Sequence, residues 1–248
     1  AINAITAEGW IAENFPGPEQ VFVTGSSAGA YGAVTHSVRL QELFPEAQFD
    51  VVGDGGNGVV THDFLVNYLS TWEFSKHLPE EIPELNVPLG ELDMSKVYEA
   101  IARAYPDGRF ATYTTAFDGG SGSQIFFYHI MKNVNNTAAW GAWWESACEW
   151  NSVMRELNQT TAAAVPNFRY YVGVGSAHTT WGRDKLYTDT TGGVPPFVDW
   201  INTMLYGDDD EWVNVECSRC GQLLEGDPRP NPLAEPFGEA GISCPGTP

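Results

Sequence analysis

The sequence predicts an α/β protein whose helices cover both faces of a mostly parallel β-sheet. Short apolar runs, typical of buried strands, alternate along the chain with longer segments in which apolar residues have helical spacing. Strands separated by helices form parallel sheets, because each connection must cross over one face of the sheet. Polar residues follow directly after several of these runs, and parallel sheets bind their ligands at the carboxyl ends of the strands.

Four strands are predicted, each a short run that ends near a small or acidic residue. They are residues 21–24, 49–54, 109–117 and 168–174. The predicted helices lie before, between and after these strands. They are residues 1–13, a segment from the glycine-rich turn to about residue 43, and residues 95–105, 123–134, 137–157 and 195–205. Residues 119–122 are expected to form a flexible turn.

Residues 60–109 are predicted to contain an insertion between the second and third strands, because aromatic residues there are scattered among prolines. Such insertions often form a lid or the wall of a pocket. After three consecutive aspartates at 208–210 the chain is predicted to be loop-like and contains three of the four cysteines. We therefore expect a main domain at residues 1–206 and a cysteine-containing extension at 207–248 that packs on it.

The four cysteines favour a disulfide-bonded, secreted or periplasmic protein. They are Cys148, Cys217, Cys220 and Cys244, of which the second and third form a C-x-x-C motif. No second such motif and no paired histidines lie nearby, which disfavours a zinc site, and the absence of a surrounding βαβ pattern disfavours a thioredoxin-like motif. Two disulfides are expected, and the spacing leaves all three connectivities open.

The charge of the chain argues against two classes of partner. Thirty-two acidic residues against twelve basic ones give a formal net charge of −20. Nucleic acids and anionic membrane surfaces are bound by positive charge, so neither is an expected partner. The chain also has no run of eighteen apolar residues, so no membrane span is expected.

The first predicted strand ends in a motif typical of a serine nucleophile. Gly25-Ser26-Ser27-Ala28-Gly29 fits G-x-S-x-G, in which a strained strand-to-helix turn exposes the central serine. The flanking glycines are expected to be needed because a Cβ there would collide with neighbouring elements. The N–H of Ala28 would then help to bind an oxyanion. The alternative is a glycine-rich turn in which Ser27 is only the N-cap of the helix.

A serine nucleophile needs a base, and the base needs an acid that orients it. In the strand-end arrangement the order along the chain is serine, acid, histidine. Of the five histidines only His178 follows a predicted strand, so it is the expected base. Asp118 ends the strand before it and is the preferred acid, and Asp54, at the end of the second strand, is the competing candidate.

Four segments at these strand ends together resemble the pectin acetylesterase/Notum family of serine carboxylesterases. They are Val-Thr-Gly-Ser-Ser-Ala-Gly around Ser27, Gly53-Asp54-Gly55-Gly56, Ala116-Phe117-Asp118 with Gln124 downstream, and His178 after a strand. The likeness extends from residue 21 to about residue 181. It implies an α/β-hydrolase-like fold without metal or cofactor, a triad of Ser27, Asp118 and His178, and secreted proteins that remove acyl groups from oxygen.

The chain also departs from that family. Only twenty-six residues precede Ser27, and they contain no glycine-rich segment that would supply a second oxyanion donor. We therefore expect that N-terminal strands are missing from this chain or that its sheet is smaller.

The predicted function is hydrolysis of O-acyl esters, with an acylated glycan, a small ester or a polyester as substrate. One alternative is an extracellular depolymerase of polyesters such as polyhydroxyalkanoate. Another is a binding protein that keeps the fold but lacks a complete oxyanion hole.

Overall fold

A five-stranded parallel sheet forms the centre of the computed structural model, which describes residues 2–120, 122–228 and 241–245. The strands lie side by side in chain order, from β1 to β5. Their bounds are β1 Gln20–Ser26, β2 Gln48–Asp54, β3 Arg109–Thr115, β4 Phe168–Gly173 and β5 Val215–Glu216. The predicted α/β class is confirmed.

Eight α-helices and several 3₁₀ helices connect the strands within the described residues. The α-helices are α1 Ile2–Asn14, α2 Ala28–Leu43, α3 His62–Asn67, α4 Val97–Ala104, α5 Gln124–Lys132, α6 Ala147–Ala164, α7 Lys185–Thr188 and α8 Phe197–Tyr206.

The helices lie on both faces of the sheet, as two neighbouring residues of β3 demonstrate. Thr112 donates from Oγ1 to Asn158 of α6 at 3.0 Å, whereas the ring of Tyr113 packs against Phe197 of α8 at 4.5 Å between centroids. Adjacent residues of a strand point to opposite faces. Helices α6 and α8 therefore cover opposite faces of the sheet.

The prediction of four strands misses three short ones, all of which lie in the expected loop-like extension. Strand β5 pairs in parallel with β4, and residues 222–223 pair with residues 242–243 as a small antiparallel sheet, strands β6 (Gln222–Leu223) and β7 (Ile242–Ser243). Two-residue strands are too short to produce a periodic pattern, so the sequence carried little signal for them. The predictions that fall on residues 1, 121, 229–240 and 246–248 lie outside the described residues.

One helical prediction also needs correction. The single helix predicted at residues 137–157 is instead a 3₁₀ helix, Thr137–Ser146, followed by α6 from Ala147 to Ala164. The insertion predicted between β2 and β3 contains α3, three 3₁₀ helices and α4, which corresponds to the helix predicted at 95–105. In α4 the side chains of Tyr98 and Ile101 are completely or almost completely buried beneath the sheet.

Both expected disulfides are present. Cys148 at the start of α6 is bonded to Cys244 after β7, and Cys217 is bonded to Cys220 within the C-x-x-C motif. The first bond links the small antiparallel sheet to α6, a helix that packs against β4 of the main sheet.

Strand β1 differs from its neighbours in exposure. Strands β2, β3 and β4 are buried along almost their whole length, whereas exposed residues alternate along β1, including Phe22. In the described part of the chain β1 pairs only with β2, so it is an edge strand.

No helix among the described residues is both long and apolar enough to cross a membrane.

Replacement of Cys148 and Cys244 by serine is expected to lower the free energy of unfolding by about 4.7 kcal/mol, the chain-entropy value for a loop of about 100 residues. The bond closes a loop with a sequence separation of 96 residues, so its loss frees a large part of the unfolded chain. Urea unfolding followed by tryptophan fluorescence measures the change. Equal unfolding midpoints for the double variant and the oxidised wild type would contradict it.

Candidate active site

Ser27 lies at a sharp turn between β1 and α2. Its backbone has φ 58° and ψ −123°, a strained conformation for a residue with a Cβ. It occupies the N-cap position, but its side chain makes no capping hydrogen bond. The simple N-cap interpretation therefore does not explain this serine, because the strain is present without the bond that would offset it.

The turn around Ser27 requires a glycine at position 25, where the backbone packs closely, but not at position 29. A Cβ on Gly25 would lie 2.1 Å from the carbonyl oxygen of Gly29, which is a severe clash, whereas a Cβ on Gly29 would meet nothing within 4 Å. The expectation that both glycines are sterically required is thus wrong for Gly29. Gly56, which sequence reasoning did not single out, is also required, since its Cβ would lie 2.5 Å from that of Ala30.

The backbone around Ser27 leaves an amide available for an anion. The N–H of Ser27 itself donates to the carbonyl oxygen of Asp54 at 2.7 Å. Ala28 is the first residue of α2, so its N–H has no acceptor inside the helix. The positive end of the helix dipole lies at the same place. This arrangement can stabilise negative charge that develops next to Ser27.

Asp118 and His178 form a hydrogen-bonded pair at the ends of β3 and β4. Asp118 Oδ1 lies 2.7 Å from His178 Nδ1, and the side chain of Asp118 is fully buried. The loop that carries His178 is fixed to the end of β3, because Thr115 Oγ1 donates to the carbonyl oxygen of Ala177 at 2.9 Å. This bond to Nδ1 leaves Nε2 as the nitrogen that can exchange a proton with another group.

His178 Nε2 is buried and has no hydrogen-bond partner among the described residues. No hydrogen bond joins it to Ser27 in this structure. Both residues nevertheless lie close to the segment Gly55-Gly56 that follows β2. A Cβ on Gly55 would lie 3.2 Å from His178 Cε1, and one on Gly56 would lie 3.0 Å from the Ser27 carbonyl oxygen. Catalytic hydrogen bonds are often long before substrate binds.

The surroundings of His178 raise the pKa of its imidazole above the ordinary value of 6.5. Burial alone would lower it, because burial disfavours the charged ring. The hydrogen bond and charge of Asp118, with a smaller contribution from Asp54, outweigh that effect. The ring is therefore a stronger base than a free histidine.

A buried polar network supports the Asp118 carboxylate through both of its oxygens. Gln124 donates to it twice, from its backbone N to Oδ1 at 3.0 Å and from Nε2 to Oδ2 at 3.1 Å. Gln124 also exchanges hydrogen bonds with Asn57, whose side chain donates to Asn158 of α6. Sequence reasoning noted Gln124 only as part of a motif and missed both asparagines, since a buried polar residue has no periodic signal.

Asp54 lies close to the pair but does not bond to the imidazole. Its carboxylate instead accepts hydrogen bonds from Ser26 Oγ at 2.9 Å and from the backbone N–H groups of Thr180 and Trp181. Burial raises the pKa of Asp54, and these donors oppose that effect. The geometry thus favours Asp118 over Asp54 as the acid that orients His178.

Two of the other histidines have partners elsewhere in the fold. His36 lies 2.7 Å from Glu8 of α1, and His129 is bonded to Ser146 Oγ and to the carbonyl oxygen of Ala139. The described residues contain no cluster of three or more histidine, cysteine or acidic side chains suited to a metal ion.

No model of a known protein family matches this chain, and no curated protein matches it either.

The Gly25→Ala substitution is expected to lower the free energy of unfolding by about 1–3 kcal/mol, the usual cost of overpacking. The Gly29→Ala substitution is the matched control in the same motif. It is expected to leave stability unchanged or to raise it by up to about 1 kcal/mol, because alanine is the better helix former. Thermal and urea unfolding of both variants measure these changes. Equal effects of the two substitutions would contradict the steric account.

Replacement of Asp118 by asparagine is expected to lower the pKa of His178, because the hydrogen-bonded carboxylate favours the charged ring. NMR titration of the imidazole Cε1–H signal measures that pKa in the wild type and the variant. The wild-type value should lie above 6.5. An unchanged or higher pKa in Asp118→Asn would show that the pair does not control the histidine.

Proposed function

We propose that this protein is a serine hydrolase that cleaves carboxylic esters through an acyl-enzyme on Ser27. The observation that carries the proposal is the Asp118–His178 pair, placed at the strand ends beside a strained serine whose hydroxyl is not used as a helix cap. A nucleophile, a base and an orienting acid are the groups that acyl transfer needs. The resemblance of the strand-end motifs to the pectin acetylesterase/Notum family agrees with this class.

In the first half of the reaction Ser27 Oγ attacks the carbonyl carbon of the ester. His178 Nε2 takes the hydroxyl proton, while Asp118 holds Nδ1–H and stabilises the imidazolium that forms. The carbonyl oxygen becomes an oxyanion, to which the N–H of Ala28 donates. Collapse of this intermediate breaks the ester C–O bond, and His178 returns the proton to the leaving alcohol.

In the second half a water molecule hydrolyses the acyl-enzyme. His178 Nε2 removes a proton from water, whose oxygen forms the new bond to the acyl carbon. The second tetrahedral intermediate releases the carboxylic acid and Ser27 recovers its proton. Because the imidazole must be neutral to act as base, its raised pKa means that activity increases with pH through a value above 6.5.

The charge of the protein favours neutral substrates. A net charge of −20 repels a bare polyanionic glycan at low salt. Four tryptophans belong to the core and are unavailable for binding: Trp143, Trp150, Trp200 and Trp212. Trp72 is 68% exposed and lies on the segment between β2 and β3. We propose acetylated glycans, small acyl esters or polyesters as the substrate class, with polyester hydrolysis as the alternative activity of the same site.

Two disulfides and the lack of a membrane-spanning helix among the described residues are compatible with an extracellular location. Disulfides persist in oxidising compartments, so we propose that the protein acts outside the cytosol. A salty extracellular medium would also suit the strongly acidic surface of the protein.

The Ser27→Ala variant is expected to lose at least about a thousandfold in hydrolysis of p-nitrophenyl esters, because the nucleophile is removed. Esters of acetate, butyrate and longer acids report the acyl preference, and clearing of a polyester film reports depolymerase activity. Wild type is also expected to react with a fluorophosphonate probe at Ser27, as peptide mapping of the labelled protein would show.

The Ser152→Ala variant is the matched control, since Ser152 is an exposed serine on α6. It is expected to keep the wild-type rate and labelling. Equal rates for wild type and Ser27→Ala would exclude the esterase proposal and favour a protein that binds ligands without catalysis.

A further inference from the structure

Asp54 is a buried carboxylate that the proposed reaction does not use directly. It is the last residue of β2 and has no exposed surface. A buried carboxylate is costly unless hydrogen bonds compensate for lost water. Its partners therefore indicate what the residue stabilises.

On one side Asp54 is bonded to the nucleophile turn. Ser26 Oγ donates to its Oδ2 at 2.9 Å, and its carbonyl oxygen accepts the N–H of Ser27 at 2.7 Å. Both the side chain and the backbone of Asp54 thus contact the two residues at which β1 becomes the turn.

On the other side Asp54 is bonded to the loop that carries His178. The N–H of Thr180 lies 2.9 Å from Oδ2, and the N–H of Trp181 lies 3.2 Å from the same oxygen. Between these donors and the histidine lies Thr179, whose φ of 60° is strained for a β-branched residue. The carboxylate accepts from both amides that follow the strained residue, so it stabilises a loop conformation that would otherwise relax.

Gly55, the residue after Asp54, lies against the imidazole of His178. Gly55 has φ 72°, and a Cβ there would lie 3.2 Å from His178 Cε1. The ring therefore rests against the backbone directly after Asp54. One strand end contacts the nucleophile turn, the loop after the base and the ring of the base itself.

We propose that Asp54 is a positioning residue that fastens the His178 loop to the nucleophile turn and so places the imidazole for proton transfer with Ser27. This inference rests on the proposed esterase function and adds to it a residue that acts through the base. It also replaces the earlier interpretation of Asp54 as a competing acid.

The charge of Asp54 has a second consequence for His178. The ionisable groups around the two residues are Tyr113 from β3, Asp118 after that strand, Tyr98 from α4 and Arg183 from the His178 loop. The carboxylates Asp54 and Asp118 both favour the charged imidazole, whereas Arg183 opposes it. Loss of the Asp54 charge should therefore make His178 less basic.

The test compares Asp54→Asn with Asp50→Asn. Asp50 is the matched control because it lies on the same strand and face, is 1% exposed, and is bonded to Gln20 at 2.8 Å, far along the strand from His178. Asp54→Asn is expected to lower kcat for p-nitrophenyl acetate by about tenfold to a hundredfold with little change in KM, because the base is misplaced. It should also lower the pKa of His178 in an NMR titration. Asp50→Asn should change neither quantity.

The outcomes separate the two proposals. If wild type neither hydrolyses esters nor reacts with the fluorophosphonate probe, the esterase proposal fails, and the NMR titration still decides whether Asp54 acts on His178. If wild type is active and Asp54→Asn matches Asp50→Asn in kcat and in the pKa of His178, the positioning role is overturned.

A second variant covers the case in which Asp54→Asn does not fold. Ser26→Ala removes the hydroxyl that donates to Asp54 Oδ2 and keeps the Asp54 carboxylate. It is expected to lower kcat severalfold while thermal unfolding remains cooperative. Unchanged kcat together with an unchanged His178 titration in Ser26→Ala would then overturn the proposal.

Discussion

The parallel register of the central sheet is the constraint on which the site depends. Ser26 pairs with Asp54, Asp54 pairs with Tyr113, and Thr115 pairs with Gly173. Because all of these strands run in the same direction and end at nearly the same level, the residues that follow them meet at one edge. Residues separated by as many as 151 positions in the chain, from Ser27 to His178, are thereby brought together. Without this register the nucleophile turn and the His178 loop would not both contact the end of β2.

The support at this edge is made by backbone and buried polar groups. Gly25 and Gly56 permit close approaches around the turn that any side chain would block, and Ser27 in that turn has a strained conformation. Asp118 is oriented by Gln124, and Asp54 accepts from the backbone of the histidine loop. A buried polar group that is fully bonded rigidifies its surroundings, whereas an unbonded one is costly. The strain at Ser27 and Thr179 is therefore tolerated because the neighbouring bonds leave few alternatives.

Several features of the site were predictable because they produce local patterns. The turn around Ser27 combines an apolar strand, small residues and a helix, and this order has a recognisable motif. Asp118 and His178 directly follow strands, so chain order alone made them candidates. The partners of these residues were not predictable. Gln124, Asn57 and Asn158 come from different elements, and only the packed structure places them within hydrogen-bond distance of one another.

The sequence by itself determined the α/β class, the four longer strands, the presence of two disulfides and the three candidate residues, because each depends on composition or on spacing along the chain. The tertiary structure alone decided the fifth strand, the pairing of Cys148 with Cys244, and the hydrogen bond that joins His178 to Asp118 rather than to Asp54. It also gave Asp54 its contacts. These decisions depend on distances between residues that are remote in the chain, and local pattern carries no information about such distances.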